Sequence, residues 1–241
     1  PGTAGASPLA FPARRSFPSC GMQAERAIQQ AIESQGIIAA VRSRAPVDVM
    51  LEVGDALLAT PLTVVAISPG SRQPWDTIAE LRSRFGANMQ IGAGPLATPT
   101  QVQLAVEAGA QFVLSACFDP LASELCRQLS VLYLPGTATP AAVDAALSDG
   151  WPLHIFCPAG RSGMAAMQQL QQASRSARLV PMGGVTAGNL EAYARAGVSA
   201  AVVRGVLGAT AKWRMGALIT QMRQLRTVWE AGRTGRQATG V

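Results

Sequence analysis

The stretch Glu107-Ala108-Gly109-Ala110-Gln111-Phe112-Val113 decides the fold, and it has a counterpart in Arg195-Ala196-Gly197-Val198-Ser199-Ala200-Ala201-Val202. In each stretch a glycine follows a helical pattern, and an apolar run of strand length begins two or three residues later. Glycine commonly ends a helix because it adopts the left-handed conformation without strain. Both stretches therefore predict a helix-to-strand joint, as a repeated unit would have.

The same unit recurs along most of the chain. Apolar runs of strand length occupy eight segments, at 37–41, 62–67, 89–91, 112–114, 131–134, 153–156, 179–181 and 200–203. Helices are predicted at 23–34, 47–58, 75–85, 100–108, 121–129, 141–147, 164–173, 189–196 and 215–231. Strands that alternate with helices predict right-handed βαβ units and a parallel sheet.

Eight units in 241 residues predict an α/β protein with a closed (β/α)8 TIM barrel, formed as a single domain by residues 22–231. A doubly wound open sheet is the alternative, and the lack of an early G-x-G-x-x-G motif makes it the weaker one. Residues 1–21 have too little apolar content to offset the entropy of ordering, so they are predicted to be disordered. Residues 232–241 are predicted to form a flexible tail.

Composition limits the classes of protein. The chain is 49% hydrophobic and 14% charged, which suits a sheet covered on both faces. No stretch approaches the roughly 18 apolar residues of a membrane helix, so we expect a soluble protein without a membrane partner. The four cysteines lack the spacing of a zinc site or disulfide framework, which predicts buried free thiols in a reducing compartment. We expect a cytoplasmic protein, or one of the plastid stroma if residues 1–21 are the remnant of a transit peptide.

The net charge of +6 is concentrated near the C-terminus. One explanation is a solvated face on the last helix, and the other is an anionic partner. Nucleic acid is not expected, because no nucleic-acid recognition motif accompanies the charge. The basic residues beyond position 203 are Arg204, Lys212, Arg214, Arg223, Arg226, Arg233 and Arg236.

Two residue types are nearly missing. Lys212 is the sole lysine and His154 the sole histidine of the sequence. One histidine cannot build a multi-histidine metal site, so we expect neither a metal nor a cofactor. We expect His154 to face the helices and Lys212 to lie on the outer helix layer.

The loops after the strands build the site of a β/α barrel, so the strand ends supply the candidates. Arg42 follows the first strand and can clamp a carboxylate or phosphate bidentately, although it can also be a surface charge. Ser115 ends the fourth strand, and Pro135, Gly136 and Thr137 follow the fifth. These small groups are predicted to bind ligand.

A second set of candidates follows the last two strands. Gly183 and Gly184 follow the seventh strand, and Arg204 and Gly205 end the eighth. Phosphate commonly sits between these two loops of the fold, held by backbone N–H groups. The sequence predicts an anion pocket here, with a tight barrel turn as the alternative.

From about residue 36 to residue 207 the chain resembles the 2-keto-3-deoxy-6-phosphogluconate (KDPG) and 4-hydroxy-2-oxoglutarate (KHG) aldolase family. The segments that carry the resemblance follow one another in order, at 37–42 (IIAAVR), 91–94 (IGAG), 105–115 (AVEAGAQFVLS), 133–140 (YLPGTATP) and 180–185 (VPMGGV).

The resemblance implies cleavage of a 2-keto-3-deoxy sugar acid to pyruvate and an aldehyde, through a Schiff base on a strand-six lysine. It also implies a proton-transferring glutamate on strand two, a threonine after the strand-three Gly-Ala-Gly, and a homotrimer. The lysine position corresponds to Ile155, the glutamate position to Ala66 and the threonine position to Pro95. The family's Thr before Gly-Gly becomes Met182, and its strand-eight Gly-Ser becomes Arg204-Gly205.

Isoleucine has no amine, so it cannot form a Schiff base. We therefore expect an aldolase-like barrel that is impaired in class I cleavage and binds a small oxoacid or phosphorylated ligand. One alternative is an active aldolase or lyase with a non-standard site. Another is a non-catalytic protein-interaction scaffold that uses the basic C-terminal helix.

Overall fold

The computed structural model describes residues 20–160, 163–205 and 214–239, and in them eight strands alternate with helices. The strands are β1 (Ile37–Val41), β2 (Val64–Ile67), β3 (Gln90–Leu96), β4 (Phe112–Ser115), β5 (Leu132–Leu134), β6 (Leu153–Phe156), β7 (Arg178–Pro181) and β8 (Ala201–Arg204). The helices are α1 (Cys20–Gln35), α2 (Val47–Leu58), α3 (Pro74–Phe85), α4 (Pro99–Glu107), α5 (Pro120–Gln128), α6 (Pro140–Ser148), α7 (Gly163–Ala173), α8 (Ala187–Arg195) and α9 (Met215–Thr239).

The strands form a closed parallel barrel. Six pair in the order β5-β4-β3-β2-β1-β8, and β6 pairs with β7. Single bridges join the two groups, Gly136 to Ile155 and Met182 to Val202. The Ile155 N–H donates to the Pro135 carbonyl at 2.8 Å, which ties β6 to the end of β5. The predicted (β/α)8 barrel is confirmed, and the open sheet is excluded.

Proline starts four of the outer helices, at Pro74, Pro99, Pro120 and Pro140. The first position of a helix tolerates proline because its N–H would have no partner there. Three of these helices are also capped by the preceding side chain, from Thr98, Asp119 and Thr139. The predicted bounds start one residue late at all four, at the residue after the proline.

The last helix is longer than predicted. We expected it to end at Ala231 with a flexible tail over 232–241, but α9 continues to Thr239. Gly232 is buried against α8, where an added Cβ would lie 2.5 Å from the Glu191 carbonyl and 2.7 Å from the Ala194 side chain. Gly232 therefore allows close packing of two helices, a role that composition alone does not distinguish from a helix break.

Helix α9 also holds α1. Arg226 donates to the carbonyls of Ser34 and Gln35, and Arg233 donates to that of Glu33. The last carbonyls of a helix have no partner within it, so these arginines satisfy groups that would otherwise need water. The basic residues of α9 thus have a structural role within the barrel.

No helix of the described segments has the length and hydropathy needed to span a membrane.

Candidate functional site

The strand register shows which side chains face the barrel interior. The Tyr133 hydroxyl contacts the loop before α5, donating to the Cys117 carbonyl at 3.2 Å and accepting from the Asp119 N–H at 3.3 Å. Tyr133 therefore faces the helix layer. Because side chains alternate along a strand, Leu134 faces the interior, as does Gly136 two residues on.

The position that the resemblance assigns to lysine lies in this interior. Ile155 pairs with Gly136 on one side and with Val180 on the other. Paired residues of parallel strands face the same way, so Ile155 and Val180 point into the barrel. Both side chains are 0% exposed. This part of the lumen is apolar.

The position that the resemblance assigns to glutamate, Ala66, also faces the barrel interior. Tyr133 pairs with Val113, Val113 with Ala93 and Ala93 with Ile67, so all four face the helices. Ala66, the neighbour of Ile67, therefore faces the interior, and it is 0% exposed. Its register partners on the same face are Ala40 and Gly92, and Ala40 in turn pairs with Arg204. Pro95, at the threonine position, is half-buried within β3.

His154 lies on the helix side of β6, as alternation with Ile155 requires. The imidazole is 0% exposed, and neither nitrogen has a hydrogen-bond partner among the described residues. Burial, together with the charge of Arg178, lowers the pKa of His154 to about 4. His154 is therefore a neutral residue of the outer layer.

Arg42 lies at one side of the barrel mouth, over the loop that follows β2. A Cβ added to Gly70 would lie 3.0 Å from Arg42 Nε and 3.2 Å from its Cζ. The side chain is exposed. No ion pair with Arg42 is formed by any residue that the structure describes. Sequence reasoning missed Gly70, whose only signal is its place in a Ser-Pro-Gly-Ser loop.

Arg204 stands at the end of β8, exposed and likewise without an ion pair in the described segments. Its charge acts on the half-buried Cys157 thiol, which follows β6. Burial raises the pKa of Cys157, and Arg204 partly opposes that rise. Arg42 and Arg204 thus extend over different sides of the mouth.

The Gly183-Gly184 turn, the predicted anion pocket, is defined by its backbone conformation and by a contact with α8. Both glycines have positive φ, 81° and 105°, which other residues rarely adopt. Asn189 Nδ2 donates to the Gly184 carbonyl at 2.8 Å, so the start of α8 fixes the turn. Within the described chain, neither glycine N–H donates a hydrogen bond. Gly205, φ 74°, follows Arg204 and is exposed.

The remaining candidates are occupied in packing. Ser115 Oγ is buried and donates to the Cys117 carbonyl at 2.7 Å, so it holds the loop after β4. Gly136 lies directly against the backbone of Ala116 and Cys117. Thr137 is 2% exposed, and its hydroxyl has no partner among the described residues.

The predictions for the cysteines and for Lys212 remain. Cys126 is buried, and burial raises its pKa to about 12, but Cys117 is exposed, so the prediction of buried thiols is wrong for Cys117. The strand of Cys117 ends before the cysteine, which leaves it in the surface loop. Lys212 lies outside the described residues.

The comparisons with known proteins agree with this architecture. The family model for KDPG and KHG aldolase matches residues 28–218. A 2-dehydro-3-deoxy-phosphogluconate aldolase of Treponema pallidum is 36% identical over 119 residues, which are 49% of this chain and 56% of that protein. The enzyme of the same name from Haemophilus influenzae is 32% identical over 147 residues, 61% of this chain and 69% of that protein.

Among solved structures, the 2-keto-3-deoxy-6-phosphogluconate aldolase of Zymomonas mobilis ZM4 with 3-phosphoglycerate has a TM-score of 0.76 at 20% identity. The match covers 85% of this chain and 97% of that one. A cube-shaped protein cage designed by fusing symmetric oligomeric domains also gives 0.76 at 20% identity, over 85% of this chain and 76% of that one. These likenesses establish the fold, and the family model covers most of the sequence. The chain therefore belongs to the KDPG and KHG aldolase family.

Proposed function

We propose that this barrel has lost aldol cleavage through a Schiff base and binds a small oxoacid or phosphorylated acid at its mouth. The supporting observation is Ile155, an apolar side chain that is fully buried in the lumen at the position assigned to lysine. A Schiff base needs an amine, and an isoleucine supplies none.

Two further positions support the same proposal. Ala66 has no carboxylate for proton transfer, and Pro95 has no hydroxyl to hold a keto acid. A single replacement can be compensated by a neighbouring group, but the described lumen positions beside Ile155 and Ala66 are glycine, alanine and valine. General acid–base catalysis requires a titratable group within hydrogen-bond reach of the substrate.

The ligand proposal rests on the groups that remain. Three groups are suited to anions: Arg42, Arg204, and the N–H groups of the Gly183-Gly184 turn, which donate to no residue that the structure describes. The Zymomonas mobilis relative was solved with 3-phosphoglycerate, which carries a carboxylate and a phosphate. We infer that this chain takes anionic acids of a similar kind.

The alternative is an active aldolase or lyase with a non-standard site, and a Schiff-base route in it would need Lys212, because the sequence has no other lysine. The argument for this alternative is that four similar proteins are named aldolases. The scaffold alternative loses support because Arg223, Arg226 and Arg233 donate to backbone carbonyls of the same chain.

We also propose a homotrimer. Leu121 and Leu125 of α5 and Leu129, the residue that follows the helix, are spaced four residues apart and so lie on one side, with Leu121 64% and Leu129 37% exposed. A second copy of the chain is the proposed occupant of this stripe, and the cage of symmetric oligomeric domains supports self-association. Light scattering should give three times 25.0 kDa. The double change Leu121→Glu with Leu129→Glu should give a monomer, and Gln103→Glu on the exposed face of α4 is the control.

Cleavage is tested by measuring pyruvate release from 2-keto-3-deoxy-6-phosphogluconate and from 4-hydroxy-2-oxoglutarate. We expect wild type and Lys212→Arg to release pyruvate at the same background rate. Release by wild type that is absent in Lys212→Arg would establish the active-aldolase alternative.

A further inference from the structure

We propose that Cys157 and Met182, paired at the ends of β6 and β7, bind one soft monovalent metal ion of the Cu(I) class at the barrel mouth. This site goes beyond the proposed function, because its donors are two sulfur atoms and no acid takes part. The expectation that the chain binds no metal rested on its single histidine, and a pair of sulfur donors needs no histidine.

The backbone places the two residues opposite each other. The Met182 N–H donates to the Phe156 carbonyl at 2.8 Å, and the Ala159 N–H donates to the Met182 carbonyl at 2.9 Å. In a regular parallel pair the second donor would be the residue directly after Cys157, but that residue is Pro158, which has no N–H. The pairing of β6 with β7 therefore extends one step further, to Cys157 with Met182.

Both side chains face the barrel interior. Cys157 lies two residues beyond Ile155, which points inward, so alternation points Cys157 inward as well. Met182 has the same relation to Val180. The Cys157 Sγ lies against the end of β7, since a Cβ added to Gly183 would be 3.2 Å from it. Met182 is 3% exposed and Cys157 is half-buried, so packing fixes the first donor and the second is accessible from the mouth.

The spacing of the pair suits an ion with two ligands. Paired residues of neighbouring strands lie about 4.8 Å apart. A metal–sulfur bond is about 2.3 Å long, so an ion bound linearly between two sulfur atoms holds them about 4.6 Å apart. The methionine side chain is unbranched and has three rotatable bonds, which allow its Sδ to adapt to that distance.

The donors select the ion by softness and by charge. Thiolate and thioether sulfur suit Cu(I). Zn²⁺ usually takes four ligands, and the described residues form no group of three or more histidine, cysteine or acidic side chains that could supply them. A thiolate with one monovalent ion is electrically neutral, which fits a place where the charge of Arg204 acts on the thiol.

The test is a titration of the reduced full chain with Cu(I) under nitrogen, against bicinchoninate as a coloured competing chelator. We expect the protein to withdraw one Cu(I) per chain. Met182→Leu keeps the volume and removes the thioether, so it should weaken Cu(I) binding at least about tenfold. Cys157→Ser removes the thiolate and should weaken it by about a hundredfold or more.

Two control variants remove sulfur elsewhere. Cys117→Ser removes an exposed thiol and Met215→Leu an exposed thioether, and both should bind Cu(I) as wild type does. Binding that Cys117→Ser abolishes would place the ion on the exposed thiol and overturn the proposal. An affinity of Met182→Leu within about threefold of wild type would also overturn it, because the thiol would then act without its partner. No withdrawal of Cu(I) from the chelator would do the same.

Methyl NMR identifies the second donor directly, because Cu(I) is diamagnetic. In protein labelled with ¹³C at the methionine methyl groups, one of the eight methionine signals should shift when Cu(I) binds. That signal should be missing from Met182→Leu. A shift of a different methionine, or of none, would contradict the proposed pair. Neither experiment uses an acid, so failure of this site leaves the proposed acid binding unaffected, and failure of acid binding leaves this site unaffected.

Discussion

Trp229 of the last helix packs directly against the backbone of Gly36, the residue that joins α1 to β1. The indole is fully buried, and Gly36 has a φ of 71°. Any Cβ at this position would occupy the space of the indole ring. The C-terminal helix thus closes the N-terminal end of the barrel, and Gly36 is required both by its conformation and by this contact.

Gly36→Ala should therefore lower the free energy of unfolding by about 3 kcal/mol or more, since it combines left-handed strain with overpacking. Urea denaturation followed by tryptophan fluorescence measures this. Gly216→Ala, on α9 with nothing within 4 Å of an added Cβ, is the control and should be neutral or stabilising by up to about 1 kcal/mol. Equal midpoints for the two variants would contradict the packing described.

Replacement of Arg226 should loosen the same end of the barrel. Arg226→Gln leaves the Ser34 and Gln35 carbonyls without their charged donor, so we expect a loss of about 1–2 kcal/mol. Arg214→Gln changes an exposed arginine outside any described ion pair, so it should stay within about 0.5 kcal/mol of wild type. If Arg226→Gln is equally neutral, the arginine is free for an external partner and the scaffold alternative gains support.

Because His154 is buried, the free energy of unfolding should fall in acid. Its pKa is about 4 in the fold against 6.5 ordinarily, so between these values the unfolded chain binds the proton and the folded chain does not. Stability is therefore complete above pH 6.5 and falls as the pH drops toward 4. Between pH 7.5 and pH 5 the loss should be about 2 kcal/mol.

The variant His154→Leu has no imidazole to titrate and should lack this part of the loss. Urea midpoints at both pH values, for wild type and variant, give the difference directly. An identical pH dependence in the two proteins would mean that the folded imidazole titrates normally.

The turn after β7 gives a prediction for binding. Asn189→Ala removes the donor that holds the Gly184 carbonyl, so the two N–H groups lose their fixed direction. We expect a several-fold weaker affinity for inorganic phosphate, measured by calorimetry. Asn88→Ala, an exposed asparagine after α3, should bind phosphate as wild type does. Unchanged binding in Asn189→Ala would remove the turn from the anion site.

Much of the fold was predictable because strand periodicity and glycine-ended helices are local signals. Alternation along the four-residue strand β6 leaves two directions for Ile155, and the resemblance that assigns it to the lysine position implied the inward one. Strand β3 was predicted over 89–91 but runs over Gln90–Leu96. The prediction ended too early because Gly92, Gly94 and Pro95 are residue types typical of loops. In the barrel, Gly92 and Gly94 allow close approach of Phe112 and Leu114.

The position of the Arg42 side chain was not predictable in this way. A pattern indicates that an arginine follows a strand, but the direction of four rotatable bonds depends on the neighbouring loop. Gly70 supplies that neighbour from another strand end. The predicted end of α9 was wrong for a similar reason. The role of Gly232 depends on α8, the helix packed against it, and not on the local sequence.

Reduction with borohydride in the presence of pyruvate, followed by intact mass spectrometry, tests the loss of Schiff-base chemistry most directly. The account predicts no mass increase for wild type, under conditions that label a class I aldolase fully. A pyruvate adduct on wild type that disappears in Lys212→Arg would contradict it, because the one lysine of the sequence would then reach the keto acid.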